Sequence, residues 1–501
     1  MDIRAPVAHC QKVSRRPAVL GIDLGTSAAK AMVLDSQGVP LGLGRCAYDM
    51  GERAATGEAD TAAWVDSVAV AVREALAGGD FVVQGIGLSG QMHGVVALDG
   101  DAAPVRRPLI WTHRATRRVG DEIGRLITRY RSALVNPAPS AVTVALLSWL
   151  AAAEPENFQR IRHVLQPKDW LGFHLTGAVA TEPTDASATG LWDFPSGAWH
   201  GDLIASLGLD LAAFPKIQPS AAVRGHLRPQ TARRLGVDSG IPVALGLADV
   251  AASLVGCGRT LEPGQAVLTL GTGAQLSHAI SGSPQPPAPG LMALAGPDSG
   301  QHYLMAGVRS GGLALDCVRR LWSLTWPDLF GAAFSVEPTA DLPVFVPFLA
   351  GEPMFSSGLG AWHGLQTHHT MPEMVRAAVD GVAYTVRAAR DRVLSDSQTS
   401  AISDITVVGG GFADARIVRL YSDVLATEIY DPQIPASSAR GAAIVPAVMA
   451  GWKPSIRDAV AGFAGSCTRT LPDGESVRRH DRGYDRFAAY LGTSDGGTAH
   501  E

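Results

Sequence analysis

Two apolar runs near the start of the chain are separated by a short stretch of small and polar residues. Residues 18–22 and 28–34 are apolar apart from Lys30, and Asp-Leu-Gly-Thr-Ser lies between them. Apolar runs joined by a small-residue turn are typical of a β-hairpin. A second such pattern occupies residues 265–281, where Gly-Thr-Gly separates the runs. Its recurrence about half a chain later indicates a duplicated domain.

After the first hairpin, the spacing of hydrophobic residues predicts a strand, a helix and another strand. Residues 40–48 predict a third strand, and residues 61–76 predict a helix that ends before two glycines. A buried strand over residues 81–88 completes the order β-β-β-α-β, which predicts an α/β domain. The other elements predicted in this half are helices over 116–128, 142–153 and from 167, and a strand over 242–247.

The second half repeats this plan after its own hairpin. The elements predicted there are helices over 311–321, 372–394, 413–425 and 436–451, the last closely packed because of its Ala and Gly content, and a strand over 405–408. A chain of 501 residues is too long for one hydrophobic core, which predicts two domains. The expected organisation is a disordered extension over 1–17, an N-terminal domain over 18–260, a C-terminal domain over 261–455, and a C-terminal helix with a polar tail over 456–501.

Composition and charge exclude several classes of protein. The chain has 47 acidic and 42 basic residues, and its net charge of −5 argues against a nucleic-acid binder that relies on a basic surface. No run of 18 apolar residues occurs, so we expect no membrane span. The 5 cysteines are scattered without a Cys-x-x-Cys pair, which is typical of reduced thiols in a cytoplasmic protein.

The turn of the first hairpin carries the residues that a phosphate site needs. Gly25 lets the backbone approach a ligand closely, and Thr26 and Ser27 supply amides and hydroxyls that bind phosphate oxygens. Lys30 adds a cation, and Asp23 ends a buried strand with a carboxylate that suits a magnesium ion. For a single hairpin, an ordinary glycine turn is the better interpretation. The second turn, at Gly271 and Thr272, favours instead a nucleotide bound between two halves.

Several motifs resemble the FGGY carbohydrate kinases, and within that family most of all its xylulokinases. The most specific is Gly90-Gln-Met-His-Gly94, and supporting runs begin at Asp23, Pro167, Thr184, Leu270 and Gly409. The likeness extends over nearly the whole chain, from about residue 18 to about residue 490. It implies an α/β architecture of two ribonuclease-H-like domains, as in actin, hexokinase and the Hsp70 ATPase, around a central cleft.

The resemblance also implies a function: ATP-dependent phosphorylation of a sugar hydroxyl with Mg²⁺, D-xylulose to D-xylulose 5-phosphate being preferred. A kinase for another ketose or polyol, and a sugar- or nucleotide-binding pseudokinase, are the alternatives. An actin-fold ATPase of chaperone type is a third, disfavoured by Met92-His93 and by the absence of a peptide-binding domain. The expected partners are the sugar and ATP, and the expected assembly is a homodimer.

Roles are carried over residue by residue from the resemblance. The sugar would contact Met92, His93, Trp111 and Asp249, and Asp249 would be the catalytic base. Asp23 would share the catalytic role, and with Asp249 would hold the metal. The nucleotide would contact Gly25, Thr26, Ser27, Lys30, Gly271, Thr272, Gly311, Gly410 and Gly411.

Each of these residues also has a plainer interpretation. His93 alone is more often a satisfied core or strand-end histidine, and Trp111 a core residue. Asp249 also suits a helix N-cap, a role compatible with catalysis, because small residues follow it. Residues 409–411 alone would be an ordinary strand-to-helix turn.

The chain departs from the family pattern at three places. After Trp111 the family usually has an aspartate, where this chain reads Thr-His-Arg114. Val250 stands where an asparagine commonly follows the catalytic aspartate, and a Gly-Glu-Arg-Thr-Pro loop is reduced to residues 351–354. Two of these sites bear on the sugar pocket, so the resemblance constrains the chemistry more tightly than the substrate.

Overall fold

The computed structural model describes residues 15–48, 56–113, 120–136, 142–260, 262–339, 341–349, 351–352, 354–355, 360–396, 398 and 401–491. Most of the predicted N-terminal extension, the end of the polar tail, Arg114 and Pro353 therefore lie outside the described residues. The start of the helix predicted from residue 116 does so as well, and its described part begins at Gly120.

Strands and helices alternate along the described chain. The strands are β1 (Arg16–Leu24), β2 (Ala28–Leu34), β3 (Pro40–Ala47), β4 (Phe81–Gly90), β5 (Val96–Leu98), β6 (His163–Leu165), β7 (Ala180–Thr181), β8 (Trp192–Asp193), β9 (Ala198–Trp199), β10 (Lys216–Ile217), β11 (Val223–His226), β12 (Pro242–Ala244), β13 (Leu247–Ala248), β14 (Gln265–Leu270), β15 (Ala274–Ile280), β16 (Leu291–Ala295), β17 (His302–Val308), β18 (Val344–Val346), β19 (Ala361–His363), β20 (Asp404–Val408), β21 (Glu428–Asp431) and β22 (Thr468–Thr470). The helices are α1 (Thr61–Leu76), α2 (Gly120–Arg129), α3 (Arg131–Leu134), α4 (Thr143–Ala153), α5 (Pro155–Gln159), α6 (Pro167–Thr176), α7 (Pro183–Ala186), α8 (Gly201–Ser206), α9 (Pro229–Leu235), α10 (Asp249–Gly256), α11 (Gly312–Leu321), α12 (Trp326–Ala333), α13 (Met371–Leu394), α14 (Ala415–Leu425), α15 (Ser437–Met449), α16 (Ile456–Gly462) and α17 (Gly474–Ala488). Across the part of the chain that the structure covers, none of the helices has the length and apolar character needed to cross a membrane.

Each half of the chain is built on one mixed sheet. In the first, the strand order is β11-β12-β4-β1-β2-β3, with β13 beside the end of β4. The second has the order β16-β17-β15-β14-β20-β21-β22. In both, an antiparallel hairpin, β1–β2 or β14–β15, lies next to a parallel strand, β4 or β20. Both predicted hairpins are confirmed.

Helix α1 covers one face of the first sheet and matches its predicted range. Asp60, rather than Thr61, caps the helix, since its carboxylate accepts a hydrogen bond from the amide of Ala62. Trp64, Val68 and the other apolar residues at helical spacing are buried on the sheet side. Their burial stabilises the contact between helix and sheet.

The other face of the first sheet is covered by a helix from the second half of the sequence. Helix α15 packs on β1 so closely that a Cβ atom at Gly21 would lie 2.2 Å from the amide nitrogen of Ala443. It also packs against α10, where a Cβ atom at Gly441 would lie 1.8 Å from the carbonyl oxygen of Ala252. Small residues therefore set this packing distance, which explains the Ala and Gly content of α15.

The segment after residue 453 has more structure than the predicted helix and tail. It forms α16, the edge strand β22 and then α17. Strand β22 has the sequence Thr-Arg-Thr and pairs with β21. With no apolar alternation, this strand gives no periodic signal, and only its pairing with the second sheet defines it.

The strand predicted over residues 242–247 is interrupted. The chain leaves β12 after Ala244 and pairs again as β13, because Gly246 adopts a left-handed φ of +87° between them. A Cβ atom at Gly246 would lie 2.0 Å from the carbonyl oxygen of Leu88. This close crossing brings the start of α10 to the end of β4.

Candidate active site

Asp23 lies at the end of β1 with its carboxylate almost wholly buried. Ser89 donates a hydrogen bond to its Oδ1 at 3.1 Å, and Ser438 donates one to its Oδ2 at 2.8 Å. The Lys30 ammonium lies 3.7 Å from Oδ2. Ser438 belongs to α15, so the second half of the sequence helps to hold this carboxylate. The sequence motifs gave no indication of Ser438.

Asp249 is the first residue of α10 and is placed close enough to Asp23 for the two carboxylates to repel each other. The helix is capped by Ala248, so the N-cap prediction for Asp249 is wrong, although its Oδ1 does accept a hydrogen bond from the Val250 amide at 2.8 Å. Burial, followed by the repulsion from Asp23, raises the pKa of Asp249 to about 7. A carboxylate with a pKa near neutrality is suited to accept a proton as a general base.

The turn between β1 and β2 exposes two amide groups beside an indole ring. Gly25 closes the turn by donating to the Ala28 carbonyl at 3.1 Å. Within the described part of the chain, the amides of Thr26 and Ser27 have no hydrogen-bond acceptor. The Trp111 indole is 40% exposed and donates to Thr26 Oγ1 at 2.9 Å, so Trp111 is not a core residue.

The motif Gly90-Gln-Met-His-Gly94 begins at the last residue of β4. His93 has a left-handed φ of 69°, a conformation that non-glycine residues seldom adopt. Its Nδ1 lies 2.7 Å from the Ala188 carbonyl, which only accepts hydrogen bonds, so Nδ1 carries the proton and Nε2 is left as an acceptor. Burial lowers the pKa of His93, which favours this neutral form. Met92 belongs to the same apolar cluster as Val250, the neighbour of Asp249.

Four of the predicted nucleotide contacts meet at a cavity of about 940 Å³ in the second half of the structure. Gly271 and Thr272 line it from one side, and Gly410 and Gly411 from another. The aromatic residues Trp326 and Phe330 complete its wall. Both aromatic residues lie in the helical segment α12, where an apolar pattern reads as core, so the sequence analysis missed them.

The remaining predicted nucleotide contacts lie outside this lining. Gly311 adjoins it, since it immediately precedes Gly312, which is part of the lining. Helix α11 starts beside it, and the Gly312 amide donates to the Gly271 carbonyl at 2.9 Å. The lining does not include the four residues of the first hairpin: Gly25, Thr26, Ser27 and Lys30. The predicted site thus divides into a group around Asp23 and Asp249 and a group around this cavity.

The structure shows which residues surround two of the departures from the family pattern. His113 is buried with its ring 4.6 Å from that of Trp149, and burial lowers its pKa. Glu352, from the shortened loop, accepts hydrogen bonds from the amides of Arg309 at 2.9 Å and Ser310 at 3.4 Å. The loop therefore holds the turn that leads into α11.

A group of metal-ligand type, formed by the exposed Asp341 and His368 and the half-buried His369, is separate from the predicted site residues. His369 donates from Nε2 to the Asp341 carbonyl at 2.8 Å, and its Nδ1 accepts from the Gln366 amide at 3.0 Å. Both ring nitrogens of His369 are therefore occupied by hydrogen bonds of the loop.

Models of two known domains match the chain in sequence. The N-terminal domain of the FGGY family of carbohydrate kinases matches residues 18–256, and the C-terminal domain of that family matches residues 266–450. The chain belongs to the FGGY family of carbohydrate kinases. The FGGY kinases are phosphotransferases that act on a small sugar and use ATP, so this chain is an enzyme of that type.

Individual FGGY relatives match over nearly their whole length. The chain is 30% identical to the xylulose kinase of Streptomyces rubiginosus over 95% of this chain and 96% of the relative. The solved structure of a "xyloylose kinase" from Brucella ovis is 27% identical, with a TM-score of 0.84 over 94% of this chain and 98% of that one. The gluconate kinase of Lactobacillus acidophilus, 20% identical over 94% of this chain and 97% of that one, has a TM-score of 0.86 and shows the fold alone. The predicted actin/hexokinase-type fold class is confirmed.

Proposed function

We propose that this FGGY kinase converts D-xylulose to D-xylulose 5-phosphate with ATP and Mg²⁺. One observation carries the chemistry. Asp23 and Asp249, whose pKa is about 7, both lie at the end of β4, where the motif that contains His93 begins. The choice of sugar is supported by the likeness of Gly90-Gln-Met-His-Gly94 to the xylulokinases and by relatives named xylulose kinase. Another ketose or a polyol is the second candidate, because two of the three departures from the family pattern bear on the sugar pocket.

In the proposed reaction, the sugar hydroxyl attacks the γ-phosphorus of ATP. The new bond joins the sugar oxygen to phosphorus, the bond between phosphorus and the leaving ADP oxygen breaks, and the hydroxyl proton passes to Asp249. A carboxylate suffices because the alcohol becomes acidic only as the new bond forms. The acceptor Nε2 of His93 would orient a second sugar hydroxyl, and the free amides of Thr26 and Ser27 would hold phosphate oxygens.

The carboxylates of Asp23 and Asp249 fit a magnesium ion. Both present oxygen atoms, the ligands that Mg²⁺ prefers. Burial and then repulsion from Asp23 raise the pKa of Asp249, although Lys30 lies 3.7 Å from Asp23, so a cation bound between the two carboxyl groups would relieve that repulsion. When bound, the ion would neutralise charge on the phosphate groups.

The nucleotide would reach from the second half to the first. A cavity of about 940 Å³ with aromatic walls is large enough for the base and ribose. The glycine turn at Gly271 would then direct the phosphates toward the first hairpin. This assignment makes residues 18–260 the sugar-binding domain and 261–455 the nucleotide-binding domain.

Replacing Gly271 with valine should weaken ATP binding by roughly tenfold, the equivalent of about 1.4 kcal/mol, and leave sugar binding unchanged. A Cβ atom at Gly271 meets no other atom within 4 Å, so the new side chain enters the cavity without disturbing the fold. Isothermal calorimetry with ATP and with the sugar measures both affinities. Gly307→Val is the matched control, since Gly307 is equally open but does not line the cavity. Equal ATP affinity in the two variants would remove the second hairpin from the site.

Replacing His93 with asparagine should raise the KM for the sugar by roughly two- to thirteenfold, the equivalent of one neutral hydrogen bond of about 0.5–1.5 kcal/mol. Only Nε2 is free to bind substrate, because Nδ1 donates to Ala188. Asparagine tolerates the left-handed backbone of this position better than alanine does. Steady-state kinetics with varied sugar gives the answer. An unchanged KM with a lowered melting temperature would make His93 a structural residue.

Coupled measurement of ADP release against a panel of pentuloses, hexuloses and polyols tests the proposed function. We expect the highest kcat/KM with D-xylulose. A higher value with another sugar would replace the substrate and keep the chemistry. Binding of sugar and ATP without any ADP release would favour the pseudokinase alternative. The cytoplasmic location and the homodimer stay predictions of the sequence.

A further inference from the structure

A fully buried network of charged side chains lies behind the candidate active site. The Lys168 ammonium is at its centre, 2.7 Å from Asp169 Oδ1, 3.4 Å from Asp185 Oδ2 and 3.5 Å from Glu182 Oε1. The Arg224 guanidinium lies 2.6 Å from Asp169 Oδ1. Buried charges are costly unless they are paired, so this network holds its members in fixed positions.

The network is close to electrically neutral. It contains two cations and three carboxyl groups, and burial raises the pKa of Asp185 well above its ordinary value. The raised pKa favours the neutral form of Asp185, which reduces the excess of carboxyl groups over cations in the network. A balanced network of this kind is a rigid support rather than a proton reservoir.

Thr184 connects this support to the residue before the proposed catalytic base. Its hydroxyl donates to Glu182 Oε1 at 2.8 Å and accepts a hydrogen bond from the Ala248 amide, also at 2.8 Å. Ala248 immediately precedes Asp249 and caps α10. The Thr184 hydroxyl thus fixes the point at which the chain turns into the helix that begins with Asp249.

Two further contacts hold the preceding residues to the same network. Lys168 Nζ donates to the Leu245 carbonyl at 3.4 Å. The Gly246 amide donates to the Ser220 carbonyl at 3.0 Å, and the Ser220 hydroxyl donates to Glu182 Oε2 at 3.0 Å. The segment over residues 245–248 is therefore anchored at successive positions to one buried cluster.

The segment that carries Thr184 also reaches the sugar motif and the second half. The Ala188 carbonyl accepts the hydrogen bond from His93 Nδ1. Ser187 Oγ accepts a hydrogen bond from the Ala295 amide at 3.0 Å. Residues 183–189 thus contact both the sugar motif and the residue before the proposed base.

We propose that Thr184 is a positioning residue for phosphoryl transfer, which sets the placement of the Asp249 carboxylate by holding the Ala248 amide to the buried network. The proposal rests on the proposed function of Asp249 as the base. Thr184 is fully buried and acts through Ala248, so its effect falls on the chemical step rather than on the binding of sugar or ATP. A displacement of about 1 Å in a reacting group lowers rates by on the order of a hundredfold.

Thr184→Val tests this, because valine has nearly the same shape and lacks the hydroxyl. Thr181→Val is the matched control: Thr181 is also buried and donates to Asp169 Oδ2 at 2.5 Å in the same network, but it does not contact Ala248. With D-xylulose and ATP, Thr184→Val should lower kcat roughly ten- to hundredfold with both KM values within about threefold of wild type. Thr184→Ser should have a kcat within about threefold of wild type. Thr181→Val should also have a kcat within about threefold of wild type, even where its melting temperature falls.

The outcomes separate this proposal from the proposed function. If Thr184→Val and Thr181→Val have the same kcat while Asp249→Ala is inactive, the positioning role is rejected and the base assignment stands. If Asp249→Ala keeps its turnover, the base assignment fails, and the positioning role fails with it. Thr184→Ala serves as a second variant if Thr184→Val does not fold. Should neither be folded, Thr184 is a folding residue and the positioning role is rejected.

Discussion

Asp249→Ala should lower kcat by roughly a hundredfold to ten-thousandfold, the range expected for loss of a general base. The carboxylate begins α10 beside Asp23, and no other titratable side chain was assigned the base role. Because the proposed nucleotide cavity is lined by residues of the second half, the variant should still bind ATP in calorimetry. Coupled ADP release measures the turnover.

The pH dependence of the wild-type enzyme provides a check on this assignment. A carboxyl with a pKa of about 7 is neutral below that pH and cannot accept a proton, so kcat/KM for the sugar should fall as the pH drops below about 7. Wild-type activity that stays constant down to pH 5 would contradict a pKa of about 7 for Asp249 in the working enzyme. A wild-type protein that binds both substrates, releases no ADP and is indistinguishable from Asp249→Ala would contradict the role of Asp249.

Lys168→Met should destabilise the protein by about 3–5 kcal/mol, the cost of breaking a buried ion pair by removing one partner. The ammonium lies within 3.5 Å of three carboxyl groups, and its loss leaves Asp169 and Glu182 with only Arg224 to compensate them. Methionine keeps the length and the apolar part of the side chain. Thermal and urea unfolding of both proteins measure the difference.

Arg457→Met is the control for the effect of burial. Arg457 also pairs with a carboxylate, that of Glu262, at 2.9 Å, but the two side chains are 52% and 40% exposed. Its replacement should cost less than about 1 kcal/mol, as for ion pairs that water can screen. Equal stability of Lys168→Met and wild type would mean that the buried carboxyl groups are neutral in the folded protein.

Local patterns in the sequence were sufficient to predict the hairpins and α1. The range of α1 follows from apolar residues spaced along one face and from the glycines after it, which are all contained in the segment itself. The polar strand β22 has no such pattern and exists only through pairing with β21. The sheet face that a helix covers likewise depends on contacts between distant parts of the sequence. The packing of α15 on β1 was therefore not predictable.

The candidate site divides in the same way. Asp23, Asp249 and His93 stand in short motifs, and these motifs were enough to single them out. Ser438 and the aromatic wall of the cavity come from segments whose sequences read as ordinary helix. The ion network was not predicted because its members are spread along the sequence from Lys168 to Arg224, and each of them alone is typical of a surface charge. Only folding reveals that all of them are buried.

The packing of α15 on the first sheet has a consequence for the order in which the protein folds. One face of that sheet stays uncovered until residues 437–449 have left the ribosome, although its own strands are complete by residue 248. Apolar residues of β1 and β4 must then await a partner for the time in which about two hundred residues are synthesised, at roughly 5–20 residues per second. For that interval of some tens of seconds, the apolar face that α15 covers in the folded protein is exposed on the nascent chain.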